Sequence, residues 1–338
     1  MKAAVLHEPG QPLVIEDIPD PTPEPEEMIL RVRSCGICGS DLHWSVTPGL
    51  IPPGAVMGHE FVGEVVELGR AVGERFSLGD RVCSVPFIGC GRCAACLAGD
   101  PTACPETRST GLTAPGAYAE YVRVGVRESI RLPEAVADRQ GAVVEPLAVG
   151  LHAVKQAGLA PGARVLVLGC GPIGLAVTLW ARFQGAAHVV VSEHTEARRS
   201  LAARYGATEA IDPNREEVVP AFCRIAGGPP DVIFECVGTK GLIQECLSMA
   251  AARTQVVVVG VCMEPDVILP FVGMAKEITL RFVIAYQTSD FAHSVAMIEQ
   301  GRIASDAMVT HVVGFDEFSD AFEALKRPSD QCKVLLEP

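Results

Sequence analysis

Residues 164–193 read RVLVLGCGPIGLAVTLWARFQGAAHVVVSE, and this stretch decides the fold of the half of the chain around it. RVLVLG is a continuous apolar run, the pattern of a strand buried on both faces of a parallel sheet. GCGPIG follows, with Gly169, Gly171 and Gly174 spaced for a tight turn, close approach of a pyrophosphate and close helix packing. LAVTLWARFQG reads as the helix, and HVVV as the next strand, ending at Ser192 and Glu193. The helix N-terminus offers N–H groups and a positive dipole end to phosphates. Strand, glycine turn, helix, strand and terminal acid together indicate a dinucleotide site. Glu193 suits the adenosine ribose hydroxyls and repels a 2′-phosphate, which favours NAD. Arg198 and Arg199 are the counter-signal, since an arginine can receive that phosphate. They are read here as a solvated helix face.

Downstream, DVIFECVG and TQVVVVGVC continue as parallel-sheet strands, with GLIQECLSMAA as a helix between them. EITLRFVIAY reads as a further strand, and SDFAHSVAMIEQGRI and FSDAFEALKR as amphipathic helices. MVTHVVGF and CKVLLEP look like strands returning to the first part of the chain. Upstream, GAVVEPLAVGLHAVKQAG opens a helix with Glu145 beside Pro146. A carboxylate in so apolar a setting needs a partner or a metal, unless it compensates the helix N-terminus. The segments AAVL, LVIEDI, MILRVR, FVGEVVELG, DRVCSVPF, YAEYVRV and SIRLP are short β runs broken by turns, as in the solvated PDPTPEPEE. They indicate an irregular, mainly β unit with its ligands on loops.

Two clusters in that β unit carry metal chemistry. Residues 90–104, CGRCAACLAGDPTAC, place Cys90, Cys93, Cys96 and Cys104 in one short lobe. Four thiolates form the closed tetrahedral set of a structural zinc, with an iron–sulfur cluster as the competing reading. Residues 35–60, CGICGSDLHWSVTPGLIPPGAVMGHE, hold Cys38 and His59, half of a catalytic zinc site that keeps one position open.

Composition bounds the rest. The 338 residues suffice for about two domains. Hydrophobic residues make up 49%, which supports a large core and argues against disorder. Net charge is -13, with no basic run, which argues against nucleic acid or an anionic membrane surface. The start, MKAAVLHEPG, lacks the pattern of a signal peptide, and no run reaches membrane-spanning length. A cytoplasmic setting is expected, and there the 13 cysteines indicate metal or redox chemistry rather than disulfides.

GICGSDLH at 36–43, GHE at 58–60, the four-cysteine lobe, EPLAVGLHA at 145–153 and GCGPIG at 169–174 together resemble the zinc-containing medium-chain alcohol dehydrogenases over essentially the whole chain. The resemblance implies an α/β fold: a doubly wound Rossmann sheet domain, 148–284, and a mainly β, GroES-like catalytic domain, 1–147 plus 285–338. It implies two zinc ions per subunit. Cys38 and His59 would hold the catalytic one. Glu145 stands where many members have Cys, as in the branch resembling sorbitol, butanediol and threonine dehydrogenases. In that branch Glu60 can also bind the metal, and Glu145 can do so through water. Ser40 and His43 match the proton relay, and Asp41 the carboxylate that orients the zinc-bound histidine. Pro172, Ile173, Arg198, Val237, Gly260 and Val261 join the glycines and Glu193 as expected cofactor contacts.

Trp44, Leu50, Tyr118, Ala285 and Tyr286 are the expected substrate-pocket positions. Sorbitol-type members carry Tyr in place of Trp44 and Arg in place of Ala285. With Trp44, Val46, Leu50, Ile51 and Val56 lining the loop 44–57, this points away from sugar alcohols. The expected activity is NAD-dependent interconversion of a secondary alcohol or diol and its ketone, in a homodimer or homotetramer. Polyol or amino-alcohol dehydrogenase, NADP-linked ketone reductase and a non-catalytic binding protein are the alternatives.

Overall fold

The computed structural model describes residues 1–327 and 330–338. Residues 328 and 329, inside the expected segment 285–338, lie outside the described residues. The chain divides into two compact units, Met1–Glu145 with Tyr286–Pro338, and Pro146–Ala285.

The second unit is built on six parallel strands. Their order is Glu209–Ile211, His188–Ser192, Arg164–Leu168, Val232–Glu235, Gln255–Val258 and Thr279–Phe282. Strand order reverses between Arg164–Leu168 and Val232–Glu235, the place where open α/β sheets bind ligands. Val165, Leu166, Val167, Val189, Val190 and Val191 are all fully buried, which is why those runs carry no polar alternation. The helix Pro172–Phe183 packs behind the first strand, and its Trp180 indole N–H donates to the Leu147 carbonyl at 2.8 Å. EITLRFVIAY yields only the edge strand Thr279–Phe282. Left-handed backbone at Glu277 (φ 51°) and Ala285 (φ 52°) brackets the extended segment.

The first unit centres on a seven-stranded sheet. The strands run Ser129–Arg131, Arg81–Ser84, Glu60–Leu68, Glu27–Gly36, Lys333–Leu336 and Val309–Val313, with Tyr121–Gly125 also paired to Glu27–Gly36. CKVLLEP does return to this unit, and its strand lies inside the sheet: Leu335 sits opposite Gly36, and Gly36 opposite Glu60. The core behind the sheet gathers Met28, Leu30, Val32, Phe61, Val65, Tyr118, Phe318 and Phe322. The helix Phe315–Leu325 supplies the last two.

Residues 39–46, within the expected β unit and overlapping the start of the expected loop 44–57, form the helix Gly39–Val46. Its first turn is closed by Asp41, whose Oδ2 accepts the Cys38 N–H at 3.2 Å. Among the described residues no helix is long and apolar enough to cross a membrane.

Candidate metal centres and cofactor loop

Cys90, Cys93, Cys96 and Cys104 bring their sulfurs within 4.8 Å of one another. The lobe is two short turns, Ala94–Leu97 and Pro101–Ala103, with no buried residue in the first. Backbone N–H groups point at the sulfurs: Cys90 N and Glu106 N donate to Cys104 Sγ at 3.4 Å, and Cys96 N to Cys93 Sγ at 3.5 Å. N–H groups of Arg92 and Cys93 draw the Cys90 thiol down to about 6. Desolvation, with the neighbouring sulfurs, pushes Cys96 up to about 12. Four sulfurs so close cannot all ionise alone; a divalent cation resolves the conflict, so the donor set fits a structural zinc.

Cys38, His59 and Glu60 form a second group, also within 4.8 Å. Cys38 precedes the helix Gly39–Val46, and Glu60 opens the strand Glu60–Leu68 with His59 just before it. His59 Nδ1 lies 3.2 Å from Asp41 Oδ1, off the line of a hydrogen bond, so both buried atoms lack an aligned partner. That leaves Nε2 as the ligand nitrogen. Burial alone would lower the imidazole's pKa, but the Asp41 carboxylate and the Cys38 sulfur outweigh it and hold the pKa well above its usual value. The same anions that retain a proton there favour a metal cation in its place, so this group also fits zinc.

Glu145 lies outside the three-residue group but within its field. It is buried, and desolvation raises its carboxyl to about 7, with His59 and Lys333 opposing and Glu60 adding. Ser40 Oγ donates to Cys38 Sγ at 3.2 Å, and His43 is exposed on the same helix. Trp44 tilts against the His59 ring, with centroids 5.4 Å apart.

The expected pocket is only partly assembled. Trp44 stands beside the group, and Leu50 is half-buried. Ile51 and Val56 belong to the hydrophobic core, so they do not line it, and Val46 is exposed. Tyr118 is a correction: it is fully buried, stacks near Phe318 and Phe322, and its hydroxyl donates to Asp41 Oδ2, with the Gly36 carbonyl at 3.3 Å. It buttresses the carboxylate behind His59 rather than facing substrate. Tyr286 is buried between Phe291 and Phe87, its hydroxyl next to Glu145 and without an aligned hydrogen bond. Ala285 takes the left-handed conformation already noted.

Lys333 escaped the sequence reading. Its ammonium is buried against both Glu60 oxygens, and the only signal was a lone charge opening an apolar strand.

In the second unit, Gly169 turns at φ 89°, and a Cβ on Gly174 would lie 2.0 Å from the Gly169 carbonyl oxygen. No side chain caps the helix that begins after Gly171, so its N–H groups stay available to phosphate. The Glu193 carboxylate accepts Cys170 N at 2.9 Å and Thr195 N at 2.8 Å. Each oxygen keeps a lone pair for a ribose hydroxyl. Arg199 is tied down by the Glu193 and His194 carbonyls and by Asp212 at 3.0 Å, which removes it as a phosphate receptor. Arg198 is half-buried, and its carbonyl accepts the Cys170 thiol at 3.3 Å. Val237 and Val261 are exposed at the ends of neighbouring strands, with Gly260 packed on Gly238. Glu235, which sequence reasoning passed over, organises that turn by accepting Val237 N and Gly238 N, both at 2.7 Å.

Residues 24–134 match the alcohol dehydrogenase GroES-like domain, and residues 172–300 the zinc-binding dehydrogenase domain. The chain is 33% identical to (R,R)-butanediol dehydrogenase of Bacillus subtilis, covering 100% of both chains. It is 32% identical to scyllo-inosose 3-dehydrogenase of Thermotoga maritima, over 95% of this chain and 89% of that one. A crystal structure described as a zinc-binding dehydrogenase from Sinorhizobium meliloti, bound to NADP, superposes with a TM-score of 0.90 at 32% identity. It covers 100% of this chain and 99% of that one.

Proposed function

The chain belongs to the zinc-binding alcohol dehydrogenase family, and on that premise we propose that it interconverts a secondary alcohol or diol and the matching ketone with NAD. The observation that carries the reading is the grouping of Cys38, His59 and Glu60 within 4.8 Å, with Ser40 on the Cys38 sulfur and Trp44 against His59. We assign Cys38, His59 and Glu60, with Glu145 nearby, to the catalytic zinc and the four-cysteine lobe to a second zinc. The unit containing them is the catalytic domain, and Pro146–Ala285 the cofactor domain.

When bound, zinc supplies a Lewis acid that lowers the pKa of the alcohol, and NAD supplies the hydride acceptor. The chain's own residues do the rest. Ser40 Oγ would accept the proton of the substrate hydroxyl while passing its own hydroxyl proton onward, and exposed His43, three residues along the same helix, would take a proton from that path and release it to solvent. Asp41, braced by Tyr118, holds the His59 ring. Trp44 offers an apolar face to a substituent, at ~0.8 kcal/mol per buried CH2. Glu145, neutral or charged near pH 7, can donate to or accept from a second hydroxyl, which suits a diol.

NAD is supported by Glu193, whose oxygens meet ribose hydroxyls and repel a phosphate, and by the engagement of Arg199 elsewhere. NADP is the second reading, favoured by Arg198 near the same acid and by the NADP in the Sinorhizobium meliloti protein. We also assign the chain to the cytoplasm as a homo-oligomer. Exposed Val267, Leu269, Phe271, Met274, Phe282 and Ile284 beside the edge strand Thr279–Phe282 support self-association.

A screen of secondary alcohols, diols and polyols with both cofactors tests the proposal. NAD with an aliphatic or aryl secondary alcohol or a vicinal diol should outperform sorbitol and xylitol in kcat/KM. Preference for NADP, or for sorbitol, would overturn the corresponding part.

A further inference from the structure

Arg199 belongs to the short helix Glu196–Ala202, where the sequence predicts a solvated face. Its side chain is 9% exposed. The guanidinium grips the turn that follows the strand His188–Ser192. Nη1 donates to the Glu193 carbonyl at 2.6 Å and to the His194 carbonyl at 2.7 Å. Nη2 donates to Glu196 Oε2 at 2.5 Å and pairs with Asp212 Oδ2 at 3.0 Å. The two carboxylates are unequal anchors. Glu196 is 77% exposed, and an ion pair in water contributes little. Asp212 is 16% exposed and is itself held: its Oδ1 accepts Asn214 N and Nδ2, both at 3.0 Å. Asp212 directly follows the strand Glu209–Ile211, which pairs with His188–Ser192. Arg199 therefore ties the ends of two neighbouring strands together.

One peptide plane carries this to the cofactor site. The trans peptide joining His194 to Thr195 has the His194 carbonyl on one edge and the Thr195 N–H on the other. Arg199 holds the carbonyl, and Thr195 N donates to Glu193 Oε1 at 2.8 Å. Fixing the plane at one edge aims the N–H at the other, and the N–H aims the carboxylate. Cys170 N, 2.9 Å from Oε2, holds the remaining oxygen. Asn214 Nδ2 lies 3.4 Å from the His194 carbonyl, a long, uncharged contact that does not replace the guanidinium.

We propose that Arg199 is a positioning residue for cofactor choice: anchored by Asp212, it aims Glu193 at the ribose hydroxyls through the His194–Thr195 peptide and touches no part of the cofactor itself. This rests on the reading of Glu193 above. The role is opposite in sign to that of an arginine receiving a 2′-phosphate. Removing a phosphate receptor raises the preference for NAD, whereas removing a brace behind the discriminating acid lowers it.

Calorimetric binding of NAD and NADP to the zinc-loaded protein tests it, with the ratio of the two dissociation constants as the readout. A merely structural defect weakens both cofactors alike and leaves that ratio unmoved. Arg199→Met should lower the preference for NAD at least about fivefold, mostly by weakening NAD. Asp212→Asn should lower it as well, again through weaker NAD binding; stronger NADP binding there would show a caged phosphate receptor and overturn the proposal. Placed in Glu193→Ala, Arg199→Met should change the ratio by less than about twofold, because the arginine acts only through that acid. An unchanged or raised preference for NAD in Arg199→Met would overturn the proposal, as would an equal fall in the Glu193→Ala background. Should Arg199→Met not fold, Arg199→Lys decides. One ammonium cannot hold both carbonyls and Asp212 as the planar fork does, so the preference should fall at least about twofold. A wild-type or higher preference in that variant would overturn the proposal. An unchanged ratio in Glu193→Ala itself would instead overturn the reading of Glu193 on which this rests.

Discussion

Tyr118→Phe removes one oxygen from a fully buried position and leaves the ring packing on Phe318, at 4.8 Å between centroids, intact. The hydroxyl has one proton, and its shorter contact is Asp41 Oδ2 rather than the Gly36 carbonyl at 3.3 Å. Burial and the Asp41 charge hold that phenol proton on well beyond the usual tyrosine range, so the group is a permanent donor. A hydrogen bond to a charged acceptor contributes about 1.5–3 kcal/mol. After the substitution Asp41 keeps only the Cys38 N–H, at 3.2 Å, among these donors. The metal-free protein should therefore lose about 1.5–3 kcal/mol in urea denaturation. Asp41 in turn sits 3.2 Å from His59 Nδ1, so looser anchoring reaches the ligand ring. Removing such an outer partner costs about 10–100-fold in metal affinity, and one atom should fall at the lower end, about 10-fold. Chelator competition and denaturation would be run on the same preparations. Wild-type values in both would refute the assignment of Tyr118 as the brace behind His59.

Gly174→Ala places a methyl 2.0 Å from the Gly169 carbonyl oxygen and should weaken dinucleotide binding at least about 10-fold by calorimetry, with an overpacking cost of about 1–3 kcal/mol. Glu193→Ala should lower the NAD-to-NADP ratio of kcat/KM by at least about 10-fold; an unchanged ratio would move cofactor choice elsewhere. His43→Ala should slow alcohol oxidation about 10-fold near pH 7 and much less at pH 9, where hydroxide replaces the relay; a flat ratio across pH removes His43 from the path. The Glu145 carboxyl is raised in the folded state, from 4.5 to about 7, so its neutral form is favoured by folding. That contribution is full below pH 4.5 and is lost as pH rises to about 7. In the metal-free protein, wild type should therefore lose on the order of 3 kcal/mol across this window relative to Glu145→Gln, measured by denaturation at matched pH.

The nucleotide half was legible because its strands are buried on both faces, so RVLVLG and HVVV appear as uninterrupted apolar runs. The cysteine lobe was legible because metal chemistry ties four ligands to short spacings. What stayed hidden depends on long-range register. Lys333 is one charge in CKVLLEP until the sheet sets Leu335 opposite Gly36 and Gly36 opposite Glu60. Tyr118 looked like a polar group free for substrate until Ala119 bridged Ala3 and turned its neighbour into the core. The helix Gly39–Val46 was illegible because eight residues give too little periodicity, and its first turn depends on a carboxylate bond to Cys38 N.

The strand Lys333–Leu336 lies inside the first sheet, yet it follows every other strand of that sheet in chain order. At a synthesis rate of about 5–20 residues per second, Glu60 waits roughly 15–55 s for the lysine 273 residues downstream. During that interval the edge of Glu27–Gly36 is open and a carboxylate destined for the interior has no counter-charge. The Pro146–Ala285 unit, continuous in sequence, meets no such delay. Maturation thus departs from chain order: the Pro146–Ala285 unit closes first, and the metal-binding unit waits for the strand Lys333–Leu336. Chaperone dependence, and loss of soluble yield on deleting residues 333–338, should concentrate there.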